Sequence, residues 1–337
     1  MADTLTENPA GADRPPARGS AARNESLAWQ ICLALTRARG RRRFEHGGYR
    51  LDGNGGLQPT ARIRAEHDED ALLRLDEHGW HRCGSWTAQA QALFDLYLGL
   101  GGGADGRARV VGHLGQSIDG HIATHSGDAR YVSAQQDLVH LHRMRALCDA
   151  VIVGAATVAA DDPRLTTRLV LGEHPVRVII DPTLRLPRTH RVFNDGEAPT
   201  LVACDPVHAD PARAPVPREQ LLCVPSRDGV LDLRALIEQL QARGLALLFV
   251  EGGGRTVSRF IEAGCLDRLQ IAVAPLIIGD GRRGLTLPGA AAISDCARPP
   301  YRLFRLGNDV LWDFDLRAAR GVTGQAGDDE PGLQRLD

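Results

Sequence analysis

Two short stretches hold the residue types that chemistry needs. The first is Asp161-Asp162-Pro163, a pair of carboxylates set off by a proline, which pushes the residue before it out of the α region. The second is Glu251-Gly252-Gly253-Gly254, a carboxylate followed by three glycines. Adjacent carboxylates can cap a turn or carry a proton. A glycine run ahead of a helix presents backbone N–H groups with no Cβ in the way, which suits a phosphate. A tight strand-to-helix turn needs one or two glycines and gains nothing from a third, and each costs about 1 kcal/mol against alanine inside a helix. The triple therefore reads as a phosphate-binding turn. Gly252, Gly253 and Gly254 supply its N–H groups, Thr256 and Ser258 add hydroxyls, and Arg255 reads equally as a charge for a 2′-phosphate or as an exposed helix arginine.

The elements that must position these residues are also visible. Ala150 to Val153 is a short β-branched run closed by Gly154, and Ala246 to Val250 is fully apolar, so both predict buried strands. Ala155 to Ala160 has the composition of a short helix, and Val257, Phe260 and Ile261 have helical spacing. Ligands of α/β sheets bind at the carboxyl ends of strands, which is where both stretches fall. Further strands are expected at Val110 to Leu114, Val176 to Ile180, Thr200 to Ala203 and Leu221 to Val224. Ser133-Ala134-Gln135-Gln136 reads as a capping box before a helix carrying Leu138, Leu141 and Arg145. Asp232 can cap a helix with Leu233, Leu236, Ile237 and Leu240 on one face. Leu269 to Ile278, Tyr301 to Leu306 and Val310 to Leu316 follow, the last two as an antiparallel hairpin around Gly307-Asn308-Asp309. The pattern predicts an α/β fold with a mixed, mostly parallel sheet, helices on both faces and a C-terminal antiparallel hairpin.

Composition excludes several alternatives. With 337 residues the chain has room for two folded units, and 43% hydrophobic and 24% charged residues describe an ordinary globular protein. A net charge of −2 leaves no electrostatic footprint for nucleic acid or an anionic membrane. The first residues lack the apolar core of a secretory signal and no run approaches a membrane span, so a cytoplasmic location is expected. The seven cysteines are scattered without a C-x-x-C pair and read as reduced thiols. All forty basic residues are arginine. Without lysine there is no P-loop lysine, Schiff base or Ser-Lys dyad, and an anion must be held by arginine, histidine, hydroxyls or backbone N–H groups.

The chain divides into a tail over 1–24 expected to be disordered, a small α+β unit of unknown role over 25–100, a glycine-rich linker over 101–108, the α/β domain over 109–318 and a second disordered tail over 319–337. In the small unit Leu27, Ile31 and Leu35 mark one helix and Ala90 to Leu98 another, with a glycine-rich turn over 47–56 and a strand over 61–65. The linker contains a G-x-G-x-x-G at Gly101, Gly103 and Gly106, but a strand follows it where a dinucleotide fingerprint requires a helix. His67-Asp68-Glu69 matches half of a zinc deaminase motif, and no P-C-x-x-C supplies the other half, so no metal is expected.

The runs over 113–123, 126–131, 142–146, 154–168, 177–182 and 250–254 resemble, in order and spacing, the riboflavin-pathway pyrimidine reductases that form the reductase half of the bifunctional RibD protein. The resemblance covers about 110–317 and says nothing of residues 1–105. It implies a dihydrofolate-reductase-like fold, NADPH as cofactor, a homodimer, and reduction of the ribosyl group of a 5-phosphoribosylamino pyrimidine to ribityl, of the 5-amino-6-(5-phosphoribosylamino)uracil reductase type. It implies that Gly115, Tyr131, Thr157, Asp161 and the turn from Gly252 through Arg255 and Thr256 to Ser258 face the cofactor. Arg145, Leu165, Arg168 and Glu251 would face the substrate. Two arginines on converging elements suit a phosphate dianion, with each charge-assisted bond contributing about 1.5 to 3 kcal/mol. The catalytic proton donor stays open between Asp161, Glu251 and water, and Asp162 reads as the structural member of its pair. Ala129 stands where the family commonly has a serine and Tyr131 where it has tryptophan, which leaves open a reductase of another pyrimidine or a pterin. A non-enzymatic nucleotide-binding protein is the third reading.

Overall fold

The computed structural model describes residues 18–38, 44–60, 70–101, 108–129 and 132–319. The linker residues 102–107, the 61–65 strand, the 67–69 triplet, Tyr131, and the tails over 1–17 and 320–337 lie outside the described residues. The chain forms two compact units that divide between Gly102 and Gly103. Among the described residues, no helix is long and apolar enough to cross a membrane.

The first unit pairs two helices with a small antiparallel sheet. Helix α1 (Arg18–Ala38) begins inside the stretch expected to be disordered, and it buries Trp29, Ile31 and Leu35. Strands β1 (Gly47–Leu51), β2 (Leu57–Pro59), β3 (Leu73–Asp76) and β4 (Gly79–Arg82) form a sheet of order β2-β1-β3-β4, and α2 (Ala88–Gly101) closes the unit. The first half of the 47–56 stretch is strand, and the turn in its second half is held by Asp52, whose Oδ1 accepts the N–H groups of Asn54 and Gly56 at 2.8 Å. Trp29 and Tyr97 join the two helices edge to face at 5.9 Å.

The second unit is built on strands β5 (Arg109–Ser117) to β17. After β5 come β6 (His121–Thr124), helix α3 (Gln135–Leu147), β7 (Ala150–Gly154), α4 (Ala155–Asp161), β8 (Val176–Ile180), α5 (Arg191–Asn194) and β9 (Thr200–Cys204). Then follow β10 (Leu221–Cys223), β11 (Ser226–Arg227), β12 (Val230–Leu231), α6 (Leu233–Ala242), β13 (Leu247–Glu251), α7 (Gly254–Glu262) and β14 (Arg268–Ala274). The last elements are β15 (Gly281–Arg283), β16 (Tyr301–Leu306), β17 (Asp309–Asp315) and α8 (Leu316–Ala319). The nine-stranded sheet has the order β10-β9-β8-β7-β13-β5-β14-β17-β16. It is parallel from β10 to β14, and β17 and β16 add the expected antiparallel hairpin. Two small ribbons, β6 with β15 and β11 with β12, were not visible in the sequence.

The faces of this sheet differ in chemistry. On one, Val110, Ala150, Ile152, Leu248 and Val250 pack with Leu233, Leu236 and Leu240 of α6 and Val257 and Phe260 of α7. Side chains alternate along a strand, so Val111, Val151, Phe249 and Glu251 point the other way, toward α3. That helix does not bury the expected face: Leu138 is 40% exposed, while Asp137, His140, His142 and Arg145 are buried. Nor does the capping box form. The helix starts after Ala134, whose N–H is held at 2.6 Å by Asp309 from the distant hairpin.

Candidate active site

β7 and β13 lie side by side, but the chain leaving β7 continues to β8 on one side, whereas the chain leaving β13 continues to β14 beyond β5. Such a divergence opens a crevice at the carboxyl ends of the two strands. Both chemistry-bearing stretches leave from it. Gly154 begins the turn into α4, and Gly252-Gly253-Gly254 leads into α7. The Gly253 N–H donates to Thr157 Oγ1 at 3.3 Å, tying the two connections together.

The three glycines have different causes. A Cβ on Gly252 or Gly253 would come no closer than 3.7 or 3.5 Å to Thr157 Oγ1, so no protein atom forbids a side chain there. A Cβ on Gly254 would come within 1.5 Å of the Gly284 carbonyl oxygen. The third glycine is thus required by chain packing. The Ser258 side chain is buried and its Oγ accepts the Thr286 N–H at 2.9 Å, so it holds the 281–287 segment over the start of α7.

Beside the turn lies a cleft of ≈ 270 Å³ on the α6 and α7 side. Arg255 and Thr256 line it together with Thr183, Arg185 and Arg259. Three arginines in one small cleft make it strongly anion-attracting. Arg185 was legible only as a polar residue after the Asp181-Pro182 turn; nothing in its spacing pointed to α7. Gly115 is not part of this cleft. It lies on the α3 side, where a Cβ would meet Asp137 Oδ2 at 3.2 Å and Ser133 Oγ at 3.3 Å.

On that side the remaining predicted residues converge. Arg145 grips Glu251 with both ends of its guanidinium, Nε to Oε2 at 2.7 Å and Nη2 to Oε1, and its Nη1 donates to the Thr166 carbonyl at 3.1 Å. The two residues expected to meet substrate separately therefore form one partly buried ion pair. Arg168 stays on the surface, its Nη1 donating to Thr166 Oγ1 at 2.7 Å. Burial, then Arg145 and Arg164, push its pKa down. Leu165 is buried at φ +56°, a left-handed conformation that costs a leucine on the order of 1 to 3 kcal/mol. Asp161 ends α4 on the surface, its pKa raised by partial desolvation of the carboxyl and partly countered by Arg282. Asp162 takes φ +40° and its Oδ1 accepts the Arg191 N–H at 2.8 Å, the structural part expected of it. Among the described residues, no cluster of His, Cys, Asp or Glu is arranged to hold a metal ion.

Residues 108–300 match the family model of the RibD C-terminal domain. The chain belongs to that family. It is 35% identical over 218 residues to the 2,5-diamino-6-ribosylamino-4(3H)-pyrimidinone 5′-phosphate reductase of Methanothermobacter thermautotrophicus, covering 63% of this chain and 99% of that protein. The Archaeoglobus fulgidus protein of the same name is 34% identical over 200 residues, covering 56% of this chain and 90% of that one. The riboflavin biosynthesis protein RibD of Aquifex aeolicus is 34% identical over 167 residues, 49% of this chain, and the match spans only 46% of its length. Among solved structures, RibD of Acinetobacter baumannii superimposes with a TM-score of 0.55 at 24% identity, covering 67% of this chain and 62% of that one. The RibD C-terminal fold is therefore shared, and the first unit lies outside the family match.

Proposed function

We propose that this chain is an NADPH-dependent reductase that converts the ribosyl group of a 5-phosphoribosylamino pyrimidine to ribityl. One observation carries the reading. An arginine-lined cleft lies at the carboxyl ends of β7 and β8 against α7, the helix that the open glycine turn leads into, and the Arg145–Glu251 pair with Arg168 lies on the α3 side of the sheet. Membership of a reductase family implies a nicotinamide cofactor, and the residues fit one. Gly252 and Gly253 leave room for a pyrophosphate, and Arg185, Arg255 and Arg259 suit a 2′-phosphate. When bound, NADPH supplies the hydride that is delivered to C1′.

The protein's own work is then orientation and proton supply. Arg168 binds the substrate phosphate, and Glu251, held rigid by Arg145, accepts the pyrimidine N–H groups. With Arg145 hydrogen-bonded to both its oxygens, Glu251 is poorly disposed to donate a proton. Asp161, with its raised pKa and no hydrogen-bond partner among the described residues, suits the donor to the ring-opened imine. No covalent nucleophile is required. The reading includes a cytoplasmic homodimer whose partner is a small phosphorylated metabolite.

The deaminated uracil is the substrate that the sequence resemblance suggests. The 99% coverage of a stand-alone reductase favours a second reading, in which the 2,5-diamino pyrimidinone is reduced before deamination. Steady-state oxidation of NADPH by the full chain with each pyrimidine decides between them. Arg185→Ser is expected to reduce the NADPH-over-NADH preference about tenfold, the effect of about 1.4 kcal/mol. Absence of NADPH binding by calorimetry would sink the proposal.

A further inference from the structure

Helix α3 carries a buried group beside the Arg145–Glu251 pair, His142. His142 is 1% exposed and lies three residues from Arg145, so the two occupy the same side of the helix. Its Nδ1 faces two main-chain donors, the N–H of Arg168 at 2.8 Å and that of Leu169 at 3.3 Å. Two donors aimed at one ring nitrogen require its lone pair, so the proton of the neutral imidazole sits on Nε2. The charged groups around the ring are Arg145 of α3, Arg168 of the loop and Glu251 of β13. Burial first, then the two arginines, hold its pKa down at about 4 against the pull of Glu251, so the acceptor state persists at neutral pH.

What this acceptor does is set by the loop it touches. Segment 162–168 turns through Leu165 in its left-handed conformation; Thr167 is tied through its N–H to His174 Nδ1 at 3.2 Å and through its Oγ1 to Glu173 O at 3.0 Å, and two carbonyls are pinned from below. Buried Arg177 donates to Arg164 O at 3.2 Å, and Arg145 donates to Thr166 O. None of these ties reaches Arg168. A strained turn persists only when its surroundings over-determine it, and His142 supplies the tie at the residue that carries the guanidinium.

We propose that His142 is a positioning residue for anion recognition. By accepting the N–H groups of Arg168 and Leu169, it fixes the backbone from which Arg168 is presented to the substrate phosphate. This inference rests on the reading of Arg168 as the phosphate ligand.

Two substitutions separate the acceptor from the bulk of the ring. In His142→Asn the amide oxygen stands near the place of Nδ1 and still accepts, while His142→Leu fills the space and cannot. In the full chain, His142→Leu is expected to raise the KM for the phosphorylated pyrimidine, and the calorimetric Kd for ribose 5-phosphate, about tenfold, or about 1.4 kcal/mol. The kcat and the KM for NADPH should stay within about twofold, because the lost bond acts on ground-state binding of one ligand. His142→Asn should restore both constants to within about threefold of the parent, and in an Arg168→Ala background His142→Leu should add nothing. If Arg168→Ala weakens phosphate binding while His142→Leu does not, the inference is overturned and the reading of Arg168 stands. If Arg168→Ala has no effect, the reading itself fails. Should His142→Leu not fold, His142→Gln puts its oxygen near the Nε2 position instead, and equal KM values for the Gln and Asn variants would overturn the inference.

Discussion

The two faces of the large sheet hold their helices by opposite means. Against α6 and α7 the contact is apolar throughout, from Val110, Ile152 and Val250 to Leu236, Leu240 and Phe260. Against α3 the sheet presents a polar row, Glu251, His113, Gln270, Asp313 and Arg302 on five neighbouring strands in register. The helix answers with Arg145 to Glu251, Asp137 to His113 at 3.0 Å and His140 to Gln270 at 3.0 Å. Apolar burial is non-directional and proportional to area, so it gives stability without choosing partners. Hydrogen bonds choose partners, while a buried ion pair adds little net stability. The first face holds the domain together, and the second sets where α3 stands along its own axis.

Breaking that contrast at its strongest point should give the largest effect. Arg145→Met leaves the partly buried Glu251 carboxylate without its counter-charge, and is expected to cost about 1 to 3 kcal/mol in urea unfolding. It should also lower kcat/KM by about a hundredfold or more, as misplaced substrate does. Leu236→Ala on the apolar face should cost a comparable 2 to 5 kcal/mol, roughly, yet leave kcat/KM of the folded protein within about threefold. Equal activity losses in the two variants would dissolve the distinction.

The glycine turn allows a finer comparison. Gly254→Ala drives a methyl into the Gly284 carbonyl and should destabilise by about 1 to 3 kcal/mol, the ordinary cost of overpacking. Gly253→Ala meets only Thr157 Oγ1 at 3.5 Å, so its stability should stay within about 0.5 kcal/mol while the KM for NADPH rises. A thermal melt and a cofactor titration on each variant check the pair.

A further contrast is a pH dependence peculiar to the polar face. Burial foremost holds His142 at about 4 and His140 at about 3, both below the ordinary value of 6.5. As pH falls below 6.5 the unfolded chain takes up protons that the folded one refuses until about 4 and then 3. Stability is therefore full above pH 6.5 and declines toward pH 4. Urea midpoints measured across that window should fall, and a flat profile would contradict the burial of these rings in neutral form.

The sequence makes the apolar face legible and leaves the polar one hidden, for a physical reason. Strands at Ala150 and Val176, the Asp232 cap of α6 and the 307–309 hairpin turn were all expected, because local periodicity and turn chemistry specify them. Asp232 indeed accepts the Arg234 and Ala235 N–H groups. Reading α3 by the same rule picks Leu138 and Leu141 as its inner side, and the rule fails there. Its partners are His113, Gln270 and Glu251, scattered over the chain, and its cap is Asp309, 175 residues from Ala134. The sequence marks Arg145 and Glu251 separately and does not show that each is the other's partner.

The contact between Gly254 and Gly284 has a consequence for how this domain can change. A Cβ on Gly284 would itself meet Gln116 Oε1 at 2.5 Å and Leu114 Cδ2 at 2.9 Å, so this residue is trapped between β5 and the first turn of α7. Neither glycine can gain a side chain unless the 281–287 segment lifts away. The pair is in effect a single heritable unit written at two places thirty residues apart. Loop variation in this part of the domain has to arise outside that segment or replace it whole.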